Sequence, residues 1–189
     1  MRTEDRSVRD LWDQRLGLEP GSVERVVHGI AKWRDVQMGL CDLPNYWAEV
    51  GRELNLSAEM LAQLQSEFYK GDKLDLNLVD LISRFKQEGL RIGLLSNNIL
   101  DLITEIEQLG LSDIFDEIVI SARIGIMKPT AAAYHMILDA LHVRPENAVF
   151  IDDFPQNVEA ARAVGMHGIL FTPDLDLDAA IRQWLDELE

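Results

Sequence analysis

From Gly71 onward the chain alternates short, nearly continuous apolar runs with amphipathic stretches of helical period, and few folds satisfy both. "LNLVDLISRFKQEG" reads as a helix ending at Gly89, "RIGLLSN" as a strand, "ILDLITEIEQLG" as a helix ending at Gly110 and "DEIVIS" as a second strand. "TAAAYHMILDALHV", "AVFIDD", "FPQNVEAARAVG", "HGILF" and "DLDAAIRQWLDELE" continue as helix, strand, helix, strand and helix. Strands apolar on both faces must be covered on both faces, and amphipathic helices between them can carry the chain back for parallel pairing. The expected architecture over residues 73–189 is an α/β, Rossmann-like parallel sheet with helices on both faces. In such sheets ligands bind beyond the carboxyl ends of the strands.

Residues 1–72 read differently, because every periodic segment there is helical. "SVRDLWDQRLGL" places Val8, Leu11, Trp12 and Leu16 in one apolar stripe with Arg15 at its edge. "PGSVERVVHGI" is a short helix with Ser22 as its candidate cap, and "LPNYWAEVGREL" carries Trp47, Val50 and Leu54 on one face. "SAEMLAQLQSEFYKGD" has Ser57 as N-cap, with Met60, Leu61, Leu64 and Phe68 as its buried side. A small helical bundle is expected, with Trp12, Trp33 and Trp47 packing its core.

Composition narrows the function. A net charge of −15 on 189 residues argues against a nucleic-acid partner, since that affinity rests on Lys and Arg neutralising phosphates. No apolar run approaches a membrane span, and "MRTEDRSVRD" is too polar for a signal peptide. A single cysteine, Cys41, excludes an intramolecular disulfide framework and suits a reducing compartment. A cytoplasmic location is expected. The four histidines, His28, His135, His142 and His167, are scattered, with no spacing that pairs them with carboxylates.

The strand ends carry the chemistry. The first ends in Ser96-Asn97-Asn98, whose hydroxyl, amides and following helix start suit an anion. Lys128, in the segment after the second strand, can supply a point positive charge. The third strand ends in Asp152-Asp153, with Asn157 in the first turn of the next helix. Two adjacent carboxylates repel each other unless a cation relieves them, and Mg²⁺ takes oxygen ligands of this kind together with waters and substrate phosphate. Taken alone, each group has a plainer reading: the aspartates or Ser96-Asn97 as helix caps, Lys128 as a solvated lysine. Converging at one sheet edge, they describe a Mg²⁺-dependent phosphoryl site.

The motifs "LLSNN", "GIMKPTAAAYHMIL" and "VFIDDFPQNVEAARAVGMHGILF", in this order over residues 76–172, resemble the second, third and fourth motifs of the haloacid dehalogenase-like superfamily. They are similar in particular to its small phosphatases with a helical cap. The resemblance implies a helical cap at residues 1–72 and a catalytic core at 73–189. It also implies that Ser96 and Asn97 bind the transferring phosphoryl group, that Lys128 steadies its charge, that Asp152 and Asp153 hold Mg²⁺, and that Asn157 braces their loop. The implied substrate is a small phosphorylated metabolite. The carboxylate pair favours the phosphatase branch over the dehalogenases, which work without a metal.

In that family a first strand ending in Asp-x-Asp supplies the nucleophile and lies in the middle of the sheet. Here the sequence opens "MRTEDRSVRDLW", and neither Asp5 nor Asp10 follows an apolar run, so neither is assigned as nucleophile. A missing central strand leaves two edges, and each buried unpaired backbone group costs on the order of 1–3 kcal/mol. The expectation is that the flanking strands close up, that another chain lends a strand, making a homodimer reasonable, or that the natural start lies upstream. Two further readings stay open: a non-catalytic phosphate- or metal-binding relative, and an interaction protein that keeps the fold as a scaffold.

Overall fold

The computed structural model describes residues 2–3 and 5–188. The chain forms two compact units, Met1–Val79 and Asp80–Glu189. In the first, a two-residue strand β1 (Arg2–Thr3) precedes helices α1 (Ser7–Leu16), α2 (Ser22–Gly29), α3 (Ala31–Gln37), α4 (Leu43–Glu53) and α5 (Ala58–Glu67). Strand β2 (Asp72–Lys73) then pairs antiparallel with β1, Thr3 opposite Asp72. Gly71 permits this closure: a Cβ there would overlap the Asp5 carbonyl oxygen, and the Asp5 amide donates to the Gly71 carbonyl at 3.2 Å.

Charge, not apolar period, decides how α1 sits. The expected stripe of Val8, Leu11, Trp12 and Leu16 gives way to a buried face of Arg9, Trp12 and Asp13, with Leu11 61% exposed. The Arg9 guanidinium meets Glu24 at 2.9 Å and Asp72 at 2.8 Å and lies 4.5 Å from the centre of the Phe68 ring. A buried charge stays only when it is paired in this way. Asp13 accepts the Gly21 and Val23 amides at 2.6 and 2.8 Å, satisfying donors at the start of α2. Ser22, the expected cap, is instead the first helical residue. On α4 the buried aromatic is Tyr46, not Trp47, because the Tyr46 hydroxyl reaches the Val27 carbonyl. Ser57 caps α5 as expected, accepting the Met60 amide at 3.2 Å, and Leu64 and Phe68 are buried.

The boundary between the units falls within α6 (Leu76–Gln87), after which follow β3 (Gly93–Ser96), α7 (Asp101–Gln108), β4 (Glu117–Ile120), α8 (Ser121–Ile124) and α9 (Ala131–Leu141). Next come β5 (Val149–Asp152), α10 (Pro155–Ala163), β6 (His167–Leu170) and α11 (Leu177–Asp186). Strand and helix alternate as the apolar runs predict, and both strand pairs are parallel. The single continuous sheet does not form: β3 pairs with β4, Leu95 opposite Val119, and β5 with β6, Ile151 opposite Ile169. Among the described residues no ladder joins β3 to β5.

One apolar cluster nevertheless underlies both pieces. Leu95 and Val119 from one and Phe150 from the other pack with Ala133, Tyr134, Ile137 and Leu138 of α9 and with Ala161 of α10. Helix α9 presses close to β3, since a Cβ on Gly93 would meet Leu141 at 2.8 Å and Ile137 at 3.0 Å. At α6 and α11, Arg182 stacks 5.1 Å from the Phe85 ring centre and pairs with Glu88 at 3.0 Å. The His167 ring of β6 lies against Trp184 of α11 at 6.0 Å. The second unit is a mixed α/β structure, rich in helix, with small parallel sheets.

Candidate functional site

The carboxyl ends of β3 and β5 are tied together through one lysine. Asn97, the residue after β3, grips the backbone of Lys128 in both directions. Its side-chain nitrogen donates to the Lys128 carbonyl at 2.9 Å, and its oxygen accepts the Lys128 amide at 2.8 Å. Held there, the Lys128 Nζ reaches Asp152 Oδ2, at the end of β5, at 2.6 Å and lies 5.3 Å from the centre of the Phe150 ring. Both side chains are nearly buried, 10% and 7% exposed. The other Asp152 oxygen accepts the Phe154 amide at 2.9 Å and the Asn157 side-chain nitrogen at 3.0 Å. Both Asp152 oxygens thus accept hydrogen bonds, and the side chain is fixed in direction.

Of the residues singled out from sequence, Asn97, Lys128, Asp152 and Asn157 form one hydrogen-bonded chain. Ser96 closes β3 beside it, half-buried, and Asp153 follows Asp152 as an exposed carboxylate. The expected cradle of backbone amides after β3 is partly used internally. The Asn98 amide donates to Ser121 Oγ at 3.0 Å and the Ile99 amide to Asn98 Oδ1 at 2.8 Å, so neither is available to a bound anion.

Two residues of this framework escape a reading of the sequence. Ser121, almost fully buried, also donates its hydroxyl to the Asn98 carbonyl at 3.3 Å and so fixes the loop after β3. Its signal was a small polar residue at the end of the run "EIVIS". Tyr134 donates its hydroxyl to the Asn157 carbonyl at 2.8 Å and sets its ring edge-on to Phe150 at 5.1 Å. Burial, with the Asp152 charge adding to it, pushes the Tyr134 phenol up to about 12, so it remains a hydrogen-bond donor at any ordinary pH.

The donors suit a small hard cation, because every candidate ligand is an oxygen. Among the described residues no group of three or more histidine, cysteine, aspartate or glutamate side chains comes together. The chain's own contribution would be Asp152 and Asp153, with waters and an anion's oxygens completing the shell. One lysine against two carboxylates leaves a local charge of −1, which attracts a cation.

The fold and this arrangement of strand-end groups accord with a family match. A model described as haloacid dehalogenase-like hydrolase matches residues 7–165, and the chain belongs to that family. Among its relatives, it is 24% identical to the sesquiterpene phosphatase astK of Aspergillus oryzae over 80% of this chain and 78% of that one. It is 31% identical to phosphatase MT3486 of Mycobacterium tuberculosis over 60% of each. Other curated relatives are far longer proteins, of which the chain spans 21% and 13%. Among solved structures, a family enzyme of Bacteroides thetaiotaomicron crystallised with magnesium and inorganic phosphate superposes with a TM-score of 0.76. It is 15% identical, over 94% of this chain and 92% of that one. No helix among the described residues is long and apolar enough to cross a membrane.

Proposed function

We propose that the second unit is the core of a Mg²⁺-dependent phosphatase of small phosphorylated metabolites, in the helical-cap subgroup of the family, with the first unit as the cap. The observation that carries this reading is the buried Lys128–Asp152 pair, held at 2.6 Å between the ends of β3 and β5. A lysine fixed by Asn97 and an aspartate fixed by Asn157 are pre-organised, so little reorganisation is needed when charge develops on a phosphoryl group. In this reading Ser96 and the Lys128 ammonium hold the phosphoryl oxygens, Asn97 positions Lys128, and Asp152 and Asp153 hold the metal. Bound Mg²⁺ would supply charge neutralisation for the transferring group.

The separation of the parallel strands into two pairs supports the further reading that the strand bearing the family's nucleophilic aspartate is missing between β3 and β5. The open edges there also favour strand exchange between copies. Without an attacking aspartate, hydrolysis loses its covalent step while binding remains. Calorimetry with inorganic phosphate, with and without Mg²⁺, tests the site: Mg²⁺-dependent binding abolished in Asp152→Asn/Asp153→Asn is the expected result, and equal binding by that variant refutes the assignment. Turnover of an aryl phosphate separates the enzyme from a binding-only relative, which would bind phosphate and release no phenol.

A further inference from the structure

The same edge of the second unit that carries the polar groups also carries large apolar side chains that the unit's own packing leaves uncovered. Phe154, two residues past the end of β5, is 55% exposed, and Leu100, four past β3, is 49% exposed. Leu170, the last residue of β6, is 38% exposed. At the opposite edge Leu109, 44% exposed at the end of α7, stands among exposed charges such as Arg91, Asp116 and Arg144. The Phe154 backbone is fixed beside the carboxylates, because its amide donates to Asp152 Oδ1 at 2.9 Å. Isolated exposed apolar residues need no explanation, but here they follow directly on the strand ends that carry a charged site.

We propose that Phe154 and Leu100 form an apolar rim that selects monophosphate esters of apolar alcohols over phosphates of polyols. The inference rests on the reading of Ser96, Lys128, Asp152 and Asp153 as a phosphate and metal site. A phosphate held between Lys128 and the carboxylates leaves its ester carbon at the mouth, where a hydrocarbon chain removes water from the two side chains and from itself. A glycerol chain, which carries hydroxyls in place of hydrocarbon, gains little from covering these two side chains.

The test is calorimetry of the full chain in Mg²⁺ with three probes: inorganic phosphate as internal reference, glycerol phosphate, and octyl phosphate below its micelle-forming concentration. Octyl phosphate is expected to bind roughly tenfold more tightly than glycerol phosphate. In Phe154→Ala/Leu100→Ala, the affinity of octyl phosphate relative to inorganic phosphate is expected to fall by about the same factor. Both positions are exposed, so the variant's melting temperature serves to confirm folding. Equal affinity of the two esters, with inorganic phosphate still bound, overturns the rim and leaves the site intact. An octyl advantage that survives in the variant overturns the assignment to these residues. Failure of all three probes to bind overturns the site and the rim together.

Discussion

Replacing Lys128 with methionine isolates the central interaction of the site. Methionine keeps an unbranched stem and removes the ammonium that lies 5.3 Å from the Phe150 ring centre, leaving an Asp152 side chain that is 7% exposed without its counter-charge. Breaking a buried pair from one side costs about 3–5 kcal/mol. Asp152 retains the Phe154 amide and the Asn157 side chain, hydrogen bonds that already stabilise the carboxylate, so the lower end, about 3 kcal/mol, is expected. For a unit of this size about 4 °C is lost per kcal/mol, giving a fall of about 12 °C in the Tm of the second unit by calorimetry. Asp152→Asn strands the lysine instead, and the double variant strands neither group. A double-mutant cycle should therefore return a coupling of about 2 kcal/mol. Added Mg²⁺ should raise the Tm of Lys128→Met more than that of the wild type, because the metal then meets two carboxylates with no competing ammonium. A Tm within about 2 °C of the wild type, or zero coupling, would refute the view that this pair is the buried electrostatic link between the two strand ends.

In the first unit, Asp13→Ala removes the acceptor of the Gly21 and Val23 amides. It should cost about 3 kcal/mol, read as faster hydrogen exchange at those two amides, whereas Asp13→Asn should recover part of the loss. Burial, reinforced by the Arg9 charge, holds the His28 imidazole below its ordinary pKa of 6.5. The unfolded chain therefore takes the proton more readily, and this contribution is complete above pH 6.5 and lost as pH falls below it. Urea titrations across that range should show the slope in the wild type and a shallower one in His28→Asn; identical slopes would count against the histidine.

Much of the architecture was legible because it rests on local periodicity. The apolar runs placed each parallel strand to within two residues, and Ser57 announced its own helix start. Ser96 and Asp152-Asp153 were singled out at the strand ends and Lys128 in the segment after the second strand, and the structure brings Lys128 to Asp152. Arg9 and Asp13 went unread for a physical reason: they are charged residues on the buried face of α1, and their partners Glu24, Asp72, Gly21 and Val23 all lie outside that helix. Period alone put Leu11 inside, where the ion pairs put Arg9. Ser121 and Tyr134 were missed similarly, since their tasks are hydrogen bonds to backbone atoms 23 residues away.

Sequence by itself determined the α/β alternation, the order of the strand-end motifs and hence the family, because hydrophobic period and short motifs act over a few residues. Tertiary structure alone decided that Asn97 serves Lys128, that Lys128 is committed to Asp152, and that the parallel strands separate into two pairs. Those outcomes depend on which backbone edges and buried charges meet in space, where the cost of leaving any of them unpaired is highest.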